Sequence, residues 1–183
     1  MIYKIYKIKR GFSSIEIKHL LLSWLIISVI FYNAFKIPII YSLLTVGLGF
    51  LVHELSHRFV AKKQKLYAEY RADFLMLLVS FFISFAGIVF LAPGGVIILG
   101  NVTRKKNGII SLSGPLSNLV LAFLFLIIKT PLSEYGFMIN TWLAFFNLLP
   151  FPGFDGSKVL AWNKVIYAIT AFFALALVFI SYL

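Results

Sequence analysis

His53, Glu54 and His57 stand within five residues, in the stretch HELSH near the end of a long apolar run. On a helix, positions four apart share a face one turn apart, so both imidazoles point the same way. Neutral imidazole is the commonest side-chain ligand for metals. In the pattern H-E-x-x-H two histidines hold Zn2+ and the glutamate serves as general base. Glu54 lies next to the ligand face, where its carboxylate can reach a water activated by the metal without occupying the metal. A helix end whose polar groups reach for the membrane interface accounts for Arg58, but not for a carboxylate flanked by two imidazoles. Ionisable groups inside a membrane are functional candidates by default.

A catalytic zinc takes three protein ligands and keeps one position open. The chain has no cysteine, so the third ligand must be His19 or one of the acids Glu16, Glu69, Asp73, Glu134 and Asp155. Glu16 and His19 sit at the start of the first apolar run, Glu69 and Asp73 in a basic stretch with partners at hand, and Glu134 in a loop on the opposite side. Asp155 follows an apolar run within NLLPFPGFDGSKV and is the expected ligand by elimination, although Asp-Gly is also a turn signal. Pro150 and Pro152 interrupt the helix before it and remove backbone donors. Asn147, just ahead of that break, suits either an oxyanion donor or an interhelical hydrogen bond; spacing alone does not choose. In SGPLSN, residues 113–118, Gly114, Pro115 and Ser117 read as close-packing positions and Asn118 as an interhelical bond.

These residues need apolar elements to position them. The chain has 183 residues, 61% of them hydrophobic, with a mean hydropathy of +0.97. Crossing a bilayer takes about 20 apolar residues, and several such runs are present. The expected fold is an all-α polytopic membrane protein of about five to six transmembrane helices, forming a single domain over residues 1–183 with its catalytic core at about 39–160 and no separate soluble domain. No small-residue cleavage site follows the basic N-terminus, so the first apolar run is expected to be retained as a span. The net charge of +11 flanks apolar runs instead of forming a soluble patch, so no nucleic-acid partner is expected; the lipid bilayer is. Basic clusters at the N-terminus, at residues 58–71 and at Arg104–Lys106 fall on one cytoplasmic side only if Phe74–Gly100 enters and leaves by the same face. With 27 residues it is too short for two spans. It is therefore expected to re-enter, as a short helix and then a hairpin turning at Pro93–Gly95. The run Val96, Ile97, Ile98, Leu99, Gly100 and Asn101 offers an edge that could hold an unwound substrate as an added strand.

HELSH, then SGPLSN, then Asn147-Leu-Leu-Pro150 followed by Asp155-Gly156 resemble the site-2 protease family of intramembrane zinc metalloproteases (peptidase family M50), whose motifs run H-E-x-x-H, G-P-x-x-N and N-x-x-P-x-x-x-x-D-G. The resemblance extends over residues 46–158 and includes APGGVIILG, which is similar to that family's membrane-embedded β segment. It implies one Zn2+ per chain on His53, His57 and Asp155, Glu54 as catalytic base and Asn147 as substrate or oxyanion asparagine. The expected activity is hydrolysis of peptide bonds in membrane-protein substrates, within a prokaryotic cell membrane and with the N-terminus and active-site end cytoplasmic. A metal transporter would string polar residues across the bilayer, whereas here they cluster near one face. A non-catalytic zinc-binding member would not need Glu54.

Overall fold

The structure, a computed structural model, describes residues 11–128 and 130–182. The basic residues Lys4, Lys7, Lys9 and Arg10 lie outside the described residues. Among the described residues the protein is mostly helical with one small sheet, and three helical stretches are long and apolar enough to cross a membrane: Ser14–Phe35, Ile39–Lys63 and Arg104–Ile128.

Helix α1 (Ser14–Phe35) starts where the Ser13 hydroxyl accepts the Glu16 N–H, and it ends at Lys36 in the left-handed conformation. Pro38 fixes the entry to α2 (Ile39–Ser42), which runs through one π turn (Leu43–Gly47) into α3 (Leu48–Lys63). The indole of Trp24 donates to the Leu43 carbonyl at 3.1 Å, so α1 braces the π turn. Helix α3 carries HELSH. Its inward face buries Gly49, Phe50, His53, Glu54, His57, Arg58 and Ala61, the spacing of one helical stripe.

Strand β1 (Tyr67–Ala72) follows, then α4 (Phe74–Ser84), capped by Asp73 on the Met76 N–H, and strand β2 (Gly94–Leu99). The strands pair antiparallel, from Tyr67 opposite Leu99 to Ala72 opposite Gly94. The chain therefore leaves the sheet after Ala72 and returns at Gly94, and the Asp73 N–H bonds the Pro93 carbonyl at 3.0 Å. Everything between is an excursion closed at its base. Its helix of 11 residues is about 16 Å long, half of a hydrocarbon core of about 30 Å. The strand's partner differs from the expectation. The hairpin does not turn at Pro93–Gly95, since β2 pairs with β1, in a stretch whose charges read as a polar loop. Gly100 and Asn101 lie past the strand end, with Gly100 at φ +125° closing the sheet.

Helix α5 (Arg104–Ile128) carries SGPLSN and packs against α3, α6 and α7. Helix α6 (Pro131–Asn147) begins six residues before Phe137, where the apolar run starts after an apparent turn, because Thr130 and Ser133 form a reciprocal cap with Pro131 in the first turn, a position proline favours. The chain then breaks at Pro150–Pro152, and α7 (Asp155–Trp162) and α8 (Lys164–Ile180) follow.

Beside α3, Arg58 Nε donates to Glu16 Oε1 at 2.5 Å, and both side chains are buried. The same carboxylate oxygen accepts the Tyr70 N–H at 3.1 Å. One buried acid thus ties α1, α3 and β1 together. Removing one partner of such a pair leaves an uncompensated charge, a loss of about 3–5 kcal/mol.

Candidate metal centre

His53 and His57 are one turn apart on α3, and α7 brings Asp155 to them across the Pro150–Pro152 break. His57 Nε2 lies 2.9 Å from His53 Nε2. Asp155 Oδ2 lies 3.3 Å from His53 Nε2 and 3.0 Å from His57 Nε2. All three side chains are buried.

The outer nitrogens decide what these atoms are. His53 Nδ1 is 2.7 Å from Asn118 Oδ1. The Asn118 amide donates to the Gly49 carbonyl at 3.1 Å and to Asn140 Oδ1 at 3.0 Å, which fixes its oxygen toward the imidazole. His57 Nδ1 is 2.7 Å from the Ile110 carbonyl. Both acceptors require the Nδ1 proton, so in the neutral imidazole, the form that binds metals, each Nε2 presents a lone pair. Two imidazole lone pairs and a carboxylate oxygen converging within about 3 Å repel one another unless a cation lies between them. Two imidazoles and one carboxylate are a catalytic zinc donor set, and outer hydrogen bonds of this kind orient such ligands. Glu54, on the next position of α3, is buried, and its Oε2 has no hydrogen-bond partner.

The chain is 44% identical over 171 residues to a protein of Methanocaldococcus jannaschii provisionally named a zinc metalloprotease, an alignment spanning 86% of this chain and 90% of the relative. This chain belongs to that zinc metalloprotease family. No protein-family model and no solved structure matches it. The buried His-His-Asp group is its site for a single zinc.

The glycines of this metalloprotease explain how the ligands are packed. A Cβ on Gly114 would lie 2.4 Å from His57 Nε2 and 2.6 Å from His53 Nε2. SGPLSN is therefore the floor of the metal site, where the sequence suggested only helix packing. A Cβ on Gly156 would lie 2.2 Å from the Leu148 carbonyl oxygen, so the residue after Asp155 must be glycine for α7 to cross the end of α6. Asn118 also exceeds its expected part, because it bonds the ligand His53 and not just a neighbouring helix. No spacing rule connects residues 65 apart, and the available signals were an amide in a membrane helix and its place in the G-P-x-x-N motif.

The remaining candidates are placed elsewhere. Glu16 pairs with Arg58. His19 Nδ1 accepts the Ala72 N–H at 3.1 Å. Asp73 caps α4, and Glu134 lies in the first turn of α6. Glu69 bonds Ser13 and Tyr67 and pairs with Arg71 at 2.8 Å. Burial raises its carboxyl, but the hydrogen bonds from Ser13 and Arg71 outweigh this and hold it below the usual range. Asn147 donates its amide to the Leu143 carbonyl at 2.9 Å, within its own helix.

Proposed function

We propose that the protein is an intramembrane zinc endopeptidase of the site-2 protease type, hydrolysing peptide bonds of membrane-protein substrates. The observation that carries this reading is the convergence of His53 Nε2, His57 Nε2 and Asp155 Oδ2 beside a partnerless Glu54 Oε2, on a stretch long and apolar enough to span a membrane. His53, His57 and Asp155 would hold the zinc, which when bound would supply Lewis acidity and make a water acidic enough to give up a proton near neutral pH. Glu54 takes the proton of the attacking water and delivers it to the leaving amine. Asn147 has two amide protons. One bonds Leu143, and the other serves the developing oxyanion. The test is cleavage of a membrane-embedded reporter by the purified protein in detergent or vesicles. A chelator should abolish it and added zinc restore it. Unchanged cleavage after the zinc has been removed and assayed as absent would sink the reading.

A transmembrane helix hides its amides in its own hydrogen bonds, so a scissile segment must unwind and find other partners. One edge of β2 pairs with β1, and among the described residues no strand covers the other. Ile97 and Leu99 on β2 are exposed. We assign this edge, Val96 to Leu99, to main-chain recognition of unwound substrate. Alternate residues direct their N–H groups to opposite sides of a strand. Proline at Ile97 or at Ile98 should therefore impair cleavage at one of the two positions, with zinc content unchanged. Parental rates in both variants would remove the edge from the mechanism.

Five to six spans, with the N-terminus and the active-site end cytoplasmic, complete the reading. Because the chain has no cysteine, Lys105→Cys provides one labelling site. A membrane-impermeant thiol reagent should reach it only from the cytoplasmic side, and labelling from outside would contradict re-entry of residues 74–100.

A further inference from the structure

The reaction above uses one oxygen of Asp155. The other also has a partner. Lys158, one turn along α7, places Nζ 3.4 Å from Asp155 Oδ1, while Oδ2 faces the two histidines. The carboxylate is thus divided between an ammonium on one side and two imidazole lone pairs on the other. Helix capping does not engage it, since the N-cap of α7 is Phe154, with no side-chain cap bond.

We propose that Lys158 is a positioning residue of the metal centre, holding Asp155 Oδ1 so that the carboxylate meets zinc through Oδ2 alone. The proposal rests on the zinc reading of His53, His57 and Asp155. Its chemical reason is coordination number. A carboxylate free to rotate can chelate with both oxygens and occupy the position that a catalytic zinc keeps open for water and substrate. An ammonium on Oδ1 opposes that rotation and keeps the ligand aimed before the metal arrives. Partners of this kind, one bond removed from the metal, change affinity by about 10–100-fold when removed. The alternative is an ordinary i,i+3 pair on a short helix, which would leave the metal untouched.

Two measurements on the full chain in detergent separate these. Lys158→Met keeps most of the apolar stem and removes the charge; Lys158→Gln serves in its place if the methionine variant does not fold. Zinc affinity, by competition with a chelating dye, should fall about tenfold or more. In the Co2+-loaded protein the visible bands should weaken as coordination rises from four toward five. Lys158→Arg, which restores a cation, should return both readouts toward the parental values. Parental zinc affinity with an unchanged Co2+ spectrum in the uncharged variant would overturn the proposal, and so would an arginine variant as impaired as the methionine one. If the parental chain holds no zinc, or His53→Ala holds as much as the parent, the zinc reading itself fails and this proposal falls with it. Loss confined to Lys158→Met leaves the zinc reading intact.

Discussion

Glu54→Gln is expected to keep its zinc and lose proteolysis. The substitution conserves shape, so α3 and its two histidines should stay where they are. It also removes a negative charge from a buried site where Oε2 has no partner, and burying an unpaired charge costs more than burying a neutral amide. The variant should therefore fold at least as well as the parent. What it lacks is a group able to accept the proton of the attacking water. General acid–base work contributes about 10²–10⁴-fold, and cleavage of the reporter should fall by at least about 10²-fold at unchanged zinc per chain. Metal analysis alongside the cleavage assay checks both halves. Activity within tenfold of the parent would exclude Glu54 as the base. Loss of zinc together with activity would instead make Glu54 a support of the site.

The HELSH stripe and Asp155 were legible because their chemistry is written in residue type. A second His four residues on from the first fixes a shared helix face, and in a chain with six acids elimination leaves few carboxylates for a third ligand. Charge alone suggested that Phe74–Gly100 returns to its own side, since three basic clusters fit one side only then; what the structure shows of it is a short helix and a backbone bond from Asp73 to Pro93 at the base. What escaped was pairing at a distance. Strand β1, YAEYRA, alternates Tyr67, Glu69 and Arg71 with Ala68, Tyr70 and Ala72, a period-two pattern. Its charges and the lysines before it masked the strand. The Glu16–Arg58 pair joins residues 42 apart, and no local rule foretells it. The early start of α6 was encoded in Thr130, Pro131 and Ser133, a capping signature hidden within an apparent turn. Asn147 is legible from its place in a motif; one of its amide protons bonds Leu143 inside α6, and the other is left for the role that the motif implies.

Gly114→Ala should cost the protein its metal while sparing its helices. The ideal methyl position is 2.4 Å from His57 Nε2, 2.5 Å from its Cε1 and 2.6 Å from His53 Nε2, well inside contact distance, so something must move. The rings are poorly able to do so, because Asn118 and the Ile110 carbonyl hold their outer nitrogens at 2.7 Å each. Either those hydrogen bonds break or α5 backs away from α3. Overpacking of a tight interior costs about 1–3 kcal/mol, which as lost binding energy is about 5–150-fold in affinity. The strain concentrates on the ligand atoms themselves, so zinc affinity should fall toward the upper end of that range, with cleavage falling in step at low zinc. Helix content by circular dichroism should stay close to parental, since alanine is a better helix former than glycine by about 1 kcal/mol. That local gain works against the expected loss and makes the test strict. A Gly114→Ala protein with parental zinc affinity would mean that the histidines are not held against α5 as the structure places them, and the close approach of SGPLSN to HELSH would no longer explain the site.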